Sequence, residues 1–411
     1  MSMLQQLADD KCWQRFCEYK SSLISGSEDA KELRRFAEEQ AYLPVCEKIF
    51  AGEPFPCPKK TVISKMSTQK KRVVYTYPRN ENSVAKLLTY LLLRKYDHFF
   101  SGGLYSFRPG RTAKDAVRKL AAFPGISGMH AYKVDISNYF NSVPVDRLLP
   151  MLQEITADDP ELFAFLKKLL KDPRAYDHGQ IIEEEKGIMA GTPLSAFYAN
   201  IYLTDLDACF AEKGVPYARY SDDIIVFGMD EAERDAFADE IKSFLAAKGL
   251  SVNPSKEERF SPQTGWNFLG FSCRGGVIDI APATLKKLKQ KMRRKARALA
   301  RWRDRKGATG ENAAVAFVRA FNRKLLDSPE GTELSWSHWF FSVINTADTL
   351  REIDRYAQDC IRFIVSGTRT KRRYDIRYED MKAIGYRSLV HEYYAYGGEK
   401  KDELPQGQIR K

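Results

Sequence analysis

Asp222 and Asp223 are adjacent carboxylates in the stretch YARYSDDIIVFG (217–228), at the expected tip of a strand-turn-strand. Two ionised aspartates side by side repel, and a divalent cation, with its preference for oxygen ligands, converts that repulsion into a binding site. The other reading is an ordinary surface β-turn, and the local pattern leaves both open. Two further pairs, Asp9–Asp10 and Asp158–Asp159, stand in polar surroundings and read as solvated charges in a loop or at a helix start. A third carboxylate that could join the first pair is Asp135, near the end of the short apolar strand expected over 132–136 within AYKVDISNYFNSV. An acid in such a stretch is costly unless it is paired or metal-bound.

The elements that must position these carboxylates follow from pattern and turn chemistry. Residues 1–57 read as helical and accessory, with Leu33, Phe36, Tyr42, Val45 and Ile49 at roughly helical intervals before the proline-rich GEPFPCPKK. TVISKMSTQKKRVVYTYP then reads as two strands joined by a polar turn, with Lys65 near the end of one and Lys70, Lys71 and Arg72 at the start of the next. Such cations are either solvated or a clamp for triphosphate oxygens, Lys as a point charge and Arg as a fork. SVAKLLTYLLLRKYDHFF is apolar on most faces and predicts a buried helix. In LYSFRPGRTAKDAV, Arg108 and Arg111 surround a Pro-Gly turn before an amphipathic helix, which serves either phosphate contact or a plain loop-to-helix junction. Gly187, Gly191 and Pro193 in GIMAGTPLSAFYANIYLTDLD make a sharp loop that lets backbone amides approach a ligand, with Ser195 as the cap of a helix running to about Asp207. Asp230 and Glu233 have capping-box spacing for a helix that stops at Lys248–Gly249, and β-like segments with Lys256 follow.

At 411 residues the chain exceeds one average domain, and 44% hydrophobic content suffices for a sizeable core. A net charge of +12 points to a polyanionic partner rather than to an anionic membrane surface. No run approaches the ~20 apolar residues of a membrane span, and MSMLQQLADDKCW lacks the apolar core of a signal peptide. Seven scattered cysteines without close CxxC spacing read as reduced thiols of a cytoplasmic protein. The five histidines form no zinc-ligand or His-Asn-His nuclease spacing, and the end, GGEKKDELPQGQIRK, reads as a disordered tail.

In chain order, VDISNYFNSV, GIMAGTPLS followed by Ala199-Asn200 and Tyr202-Leu203, YSDD, NPSK and FLGF resemble the successive palm motifs of reverse transcriptases. Upstream, VISK with KKRVV and YSFRPGRT resemble the fingers segments of the bacterial branch, which includes group II intron, retron and defence-associated enzymes. Each motif alone is weak; five in order are specific. The resemblance spans about Lys59 to Ile280. It implies an α+β right-hand polymerase, with an antiparallel sheet and helices in fingers and palm over 58–280. An N-terminal helical accessory region over 1–57 would precede these; a basic helical thumb over 281–330, a C-terminal helical RNA-binding region over 331–396 and a polar tail over 397–411 would follow.

The same resemblance implies roles. Asp135 and Asp222 would bind two Mg²⁺ ions about 3.5–4 Å apart, with Asp223 completing the cluster as electrostatic support or as a ligand. Lys65 and Arg72 would grip the incoming deoxynucleoside triphosphate, Gly191 would belong to its binding loop, Lys256 would assist pyrophosphate departure, and Phe140 would lie under the sugar and exclude a 2′-hydroxyl. Ala190 departs from the family's usual Gln, which puts nucleotide selection or processivity in question. Between Lys286 and Lys306 twelve Lys or Arg oppose one acid, Asp304, so a helix carrying Arg293, Arg294 and Arg297 is expected to track duplex phosphates at the thumb position. Charge alone assigns the arginine-rich turn from Arg369, with Lys371, Arg372 and Arg373, to a structured RNA, and Arg108 to the same strand. Three readings of function compete. One is synthesis of a DNA strand on a template RNA, a partner non-coding RNA used in antiphage defence. The second is template-independent or protein-primed DNA polymerisation, and the third a non-enzymatic, maturase-like RNA-binding role.

Overall fold

The computed structural model describes residues 2–23, 28–64, 71–328, 335–368 and 370–402. Lys65, Lys70 and Arg369, together with the tail beyond Asp402 and the side chain of Arg372, lie outside the described residues. The chain divides into two units, the second beginning at Gly265.

In the first unit, helices α1 (Asp10–Leu23), α2 (Glu28–Glu38) and α3 (Leu43–Phe50) gather round Trp13, which stacks on Tyr42 at 4.7 Å, while Phe16 meets Tyr90 of α4 (Arg79–Lys95) at 5.2 Å. The predicted buried helix is α4, with Val84, Leu87, Leu88 and Leu92 inside. Strands β1 (Lys59–Ser64) and β2 (Lys71–Thr76) pair antiparallel, as the sequence pattern predicts. After α5 (Ala113–Ala121), started by a Thr112–Asp115 capping box, come β3 (His130–Asp135), α6 (Tyr139–Ser142), α7 (Val145–Ile155) and α8 (Pro160–Lys171). A hairpin, β4 (Arg174–Asp177) and β5 (Gln180–Glu183), extends the first pair into a sheet of order β2-β1-β4-β5. Helices α9 (Ser195–Tyr202) and α10 (Thr204–Glu212) then lead to the hairpin β6 (Tyr217–Tyr220) and β7 (Asp223–Gly228), followed by α11 (Glu231–Ala247) and β8 (Glu258–Phe260).

The second sheet has order β6-β7-β3-β8. Its central strand β7 buries Ile224, Ile225, Val226 and Phe227 alike, because a strand covered on both faces gains from apolar residues at every position instead of alternate ones. Helix α11 packs on β3 and β7 and starts as expected, with Asp230 accepting from the Glu233 amide at 2.8 Å.

Two local expectations are corrected. Ser195 does not cap; its hydroxyl donates to the Thr192 carbonyl at 2.7 Å, and the expected single helix breaks at Leu203. Asp159 is not solvated. It is 4% exposed, caps α8 by accepting from the Leu162 amide at 3.1 Å, and also accepts from the Ser2 hydroxyl at 2.7 Å and the Met3 amide at 2.6 Å.

The second unit opens with an antiparallel sheet of β9 (Trp266–Phe268), β10 (Phe271–Arg274) and β11 (Val277–Ile280). Helices α12 (Pro282–Lys306), α13 (Gly310–Leu325), α14 (Trp336–Phe341), α15 (Asp348–Ser366), α16 (Tyr378–Ala383) and α17 (Leu389–Asp402) complete it. The basic helix is α12: Leu288, Met292, Ala296 and Ala300 are buried on one side, where α13 and α15 pack, and Arg293, Arg294 and Arg297 are exposed on the other. Among the described residues no helix is long and apolar enough to cross a membrane.

Candidate active site

Register alone brings the acids together. Strands β3 and β7 run antiparallel with Asp135 opposite Asp223, and the β6–β7 hairpin pairs Tyr220 with Asp223, leaving Ser221 and Asp222 as a two-residue turn. Such a turn needs a left-handed residue at its first central position, and Ser221 takes φ +61°. The Ile136 amide donates to the Asp222 carbonyl at 3.0 Å, stitching the turn to the end of β3. One carboxylate oxygen from each of Asp135, Asp222 and Asp223 then lies within 4.8 Å of the others.

The turn rests on a buried polar frame. The Ser221 amide donates to the Ser106 hydroxyl at 2.9 Å, and Ser106 and Asn200 bond each other through hydroxyl, amide and carbonyl. Beneath them Arg219, wholly buried, meets Asp207 through Nε at 2.8 Å and also donates to the Asn200 and Ser221 carbonyls. Tyr217 donates to the same Asp207 carboxylate at 2.8 Å. Burial and the negative charge of Asp207 push the Tyr217 phenol well above its usual pKa, so it stays a donor. Sequence reasoning missed Arg219, Asp207 and Ser106 as supports. The available signal was the one that singled out Asp135, a charge inside an apolar strand, and it applies equally to Arg219.

Asp135 is 4% exposed. Its carbonyl accepts from the Asn253 amide at 2.8 Å, and its carboxylate accepts from Asn253 Nδ2 at 3.4 Å and from Lys256 Nζ. Burial raises the pKa of Asp222, with the charge of Asp135 adding to it; burial, then Asp222 and Asp135, push Asp223 up to about 6. Burial works against the Lys256 ammonium, but its hydrogen bond to Asp135 and the three acidic charges outweigh it and hold its pKa above the ordinary value. Among the described residues no side chain donates a hydrogen bond to Asp222 or Asp223. An all-oxygen donor set, short of partners and electrostatically penalised, is what a hard divalent cation would relieve, so these residues fit such an ion.

Asp135 and Asp222 open into a cleft of about 430 Å³ that is also lined by Lys71, Arg72, Phe140, Ala190 and Lys256. Of the expected substrate residues, the structure therefore brings Arg72 and Phe140 to the acids. Gly191 lies beside the cleft, packed on β2. At φ +100° it is turned onto β2, where an added Cβ would lie 3.0 Å from the Tyr75 carbonyl oxygen and 3.1 Å from Val74 Cβ, and Ala190 lines the cleft instead. The loop is fixed on both sides. The Tyr75 amide donates to the Ala190 carbonyl at 2.8 Å, the Ala190 amide donates to Asn141 Oδ1 at 3.2 Å, and Asn141 Nδ2 donates to the Val73 carbonyl at 3.2 Å.

Arg108 is a correction. Its guanidinium is buried and donates to both Asp97 carboxylate oxygens at 2.7 and 2.9 Å and to the Ser101, Leu104 and Asp97 carbonyls, so it has no free edge for a phosphate. In the second unit, Lys371 is exposed and Arg373 donates to the Tyr374 hydroxyl at 2.8 Å.

A family model described as reverse transcriptase (RNA-dependent DNA polymerase) matches residues 57–273, more than half of the chain. The chain belongs to the reverse transcriptase family. Its fold is accordingly the α+β right-hand polymerase fold, with the acidic cluster on the sheet β6-β7-β3-β8. The chain is also similar to an uncharacterized 91 kDa protein in a cob intron of Schizosaccharomyces pombe (strain 972), 30% identical over 155 residues that make up 36% of this chain and 18% of that protein. It thus spans less than a fifth of that curated relative. Among solved structures it is similar to the apo telomerase of Candida tropicalis truncated from its C-terminal domain (TM-score 0.45, 14% identity, 55% of each chain covered). A second is the Candida albicans telomerase in complex with a TWJ fragment of telomeric RNA (TM-score 0.46, 12% identity, 88% of this chain and 70% of that one). In this member of the family, Asp135, Asp222, Arg72, Phe140 and Lys256 line one cleft, with Asp223 against the two acids, although they are spread over Arg72 to Lys256 in sequence.

Proposed function

We propose that the chain is an RNA-directed DNA polymerase that copies a dedicated partner non-coding RNA into DNA by two-metal nucleotidyl transfer. The observation that carries this reading is the convergence of three carboxylates within 4.8 Å, two of which, Asp135 and Asp222, line a cleft together with Arg72 and Phe140. Asp135 and Asp222 would hold two Mg²⁺ ions, with Asp223 beside them. Bound there, the ions would activate the primer 3′-hydroxyl and neutralise the triphosphate and leaving pyrophosphate. The chain's own residues do the rest. Arg72 presents a fork to the triphosphate oxygens. Phe140 sits where a deoxyribose passes and a 2′-hydroxyl collides. Lys256, held charged by its bond to Asp135, would give a proton to the departing pyrophosphate. The frame around Ser221 keeps Asp222 from swinging away between turnovers.

The exposed arginines of α12 and the turn at Lys371 and Arg373 supply the basic surface for template RNA and the growing DNA strand. We place the protein among the compact bacterial defence-associated reverse transcriptases, in the cytoplasm, on the resemblance of its fingers and palm motifs.

Purified protein supplied with each deoxynucleotide singly and then together, with and without its co-purified RNA, tests the reading. Template-matched product is expected; RNA-independent homopolymer, or no incorporation, overturns it. Sequencing the co-purified nucleic acid identifies the template, and phage plating on cells carrying the intact or Asp222→Ala gene tests the defence role.

A further inference from the structure

Phe107 combines two features that are each unfavourable for a phenylalanine. Its backbone is left-handed, φ +57°, a conformation in which the Cβ of a bulky side chain meets backbone oxygen, and the residue is 41% exposed. Such a conformation persists only where the neighbours over-determine it, and sites of this kind concentrate at ligand clamps. Here both neighbours are locked. On one side, Ser106 is wholly buried and bonded to Asn200 and to the amide of the catalytic turn at Ser221. On the other, Arg108 is spent on Asp97, Ser101 and Leu104. Two clamped polar residues thus hold an aromatic ring outward, one residue away from the frame of the acidic cluster.

The surroundings state what the ring would meet. Arg111 lies in the same Pro-Gly turn, its amide donating to the Arg108 carbonyl at 3.4 Å, and its guanidinium donates to the Gly102 carbonyl at 2.8 Å. Lys119 Nζ lies 3.8 Å from where a Cβ on Gly102 would be. Both cations therefore meet at Gly102, in the loop that carries Phe107, and a loop that combines an exposed aromatic face with cations able to follow a phosphate backbone is the kind by which proteins hold single strands.

We propose that Phe107 is a stacking platform for an unpaired nucleobase of the RNA strand engaged beside the catalytic turn. The identity of that strand rests on the polymerase reading above; the stacking does not. Arg108, expected from sequence to touch RNA itself, acts as a positioning residue that presents the ring.

The experiment compares the full-length protein with Phe107→Gly, Phe107→Tyr and Phe107→Ala. Binding is measured by fluorescence anisotropy to a 12-nucleotide single-stranded RNA and to the same strand made abasic throughout. Phe107→Gly is expected to weaken binding to the base-containing strand by roughly tenfold, to leave the abasic strand unchanged, and to raise the melting temperature by about 2–4 °C because the strain is gone. Phe107→Tyr should keep the affinity; Phe107→Ala should lose it without the gain in melting temperature. Unchanged RNA affinity in both Phe107→Gly and Phe107→Ala, or an equal loss on the abasic strand, overturns the proposal. Primed deoxynucleotide incorporation by the unaltered protein is read separately. Its absence would count against the polymerase reading alone, whereas incorporation with full RNA affinity in Phe107→Gly would count against the stacking alone.

Discussion

Asp158–Asp159 and Asp222–Asp223 are the same dipeptide in two settings. Asp159 is the more buried of the first pair, yet each of its oxygens has a donor, and Asp158 accepts from Tyr96 at 2.8 Å and pairs with Lys95 at 2.6 Å. The Lys95 hydrogen bond, followed by that of Tyr96, holds the Asp158 carboxyl below its usual pKa despite opposition from burial. At the second pair no side chain donates among the described residues, and both acids titrate above their usual range. Burial is common to the two settings. Supply of hydrogen-bond donors from neighbours separates them: one pair is a structural fastener, the other a pair of charges that a cation would relieve.

The largest break in this contrast should come from Asp222→Asn. It removes a carboxylate where the metal pair would stabilise several kcal/mol of transition-state charge, so primed incorporation should fall about 10³-fold or more. Retention of near-normal rate would place the chemistry elsewhere. Asp159→Ala is expected to do the opposite, leaving the rate per folded molecule intact while costing about 2–3 kcal/mol of stability through the lost cap and stranded amides; denaturant midpoints measure it.

A subtler variant sharpens the difference by sign. Asp223→Asn should stabilise the metal-free protein by about 1–2 kcal/mol at neutral pH, since a carboxyl pushed up to about 6 is charged there at a cost. Added Mg²⁺ should then raise the melting temperature of the unaltered protein more than that of the variant, and equal rises would contradict a metal role for Asp223. The smallest effect belongs to Asp158→Asn. Because the folded-state pKa of Asp158 is depressed, its contribution is present above the unfolded value near 3.9 and is lost as pH falls through the lower folded value. Half exposure keeps that contribution small. Melting curves of variant and parent should differ slightly at neutral pH and converge under acid.

The clustered acids were legible because their expense is local: an aspartate between apolar strand residues needs a reason wherever it occurs. The partners that decide the two pairs were not legible. Asp159 looked solvated because nothing nearby reveals that Ser2 and Met3, more than 150 residues earlier, fold back to bond it. Arg108 looked available for RNA because a guanidinium in a loop gives no sign that Asp97 and three carbonyls surround it. Arg219 could have been suspected from its apolar strand, but its mate Asp207 sits at a helical position that sequence alone assigns to solvent. Pattern reads the cost of a residue; only the fold reads who meets that cost.

The glycine loop is tied through Ala190 to Tyr75 and through Asn141 to Val73. Strand β2, the loop and the short helix bearing Phe140 are therefore bonded into one unit. If Arg72 grips the phosphates and Phe140 faces the sugar as proposed, a shift of β2 toward a nucleotide would carry Phe140 with it, and the two contacts would form together.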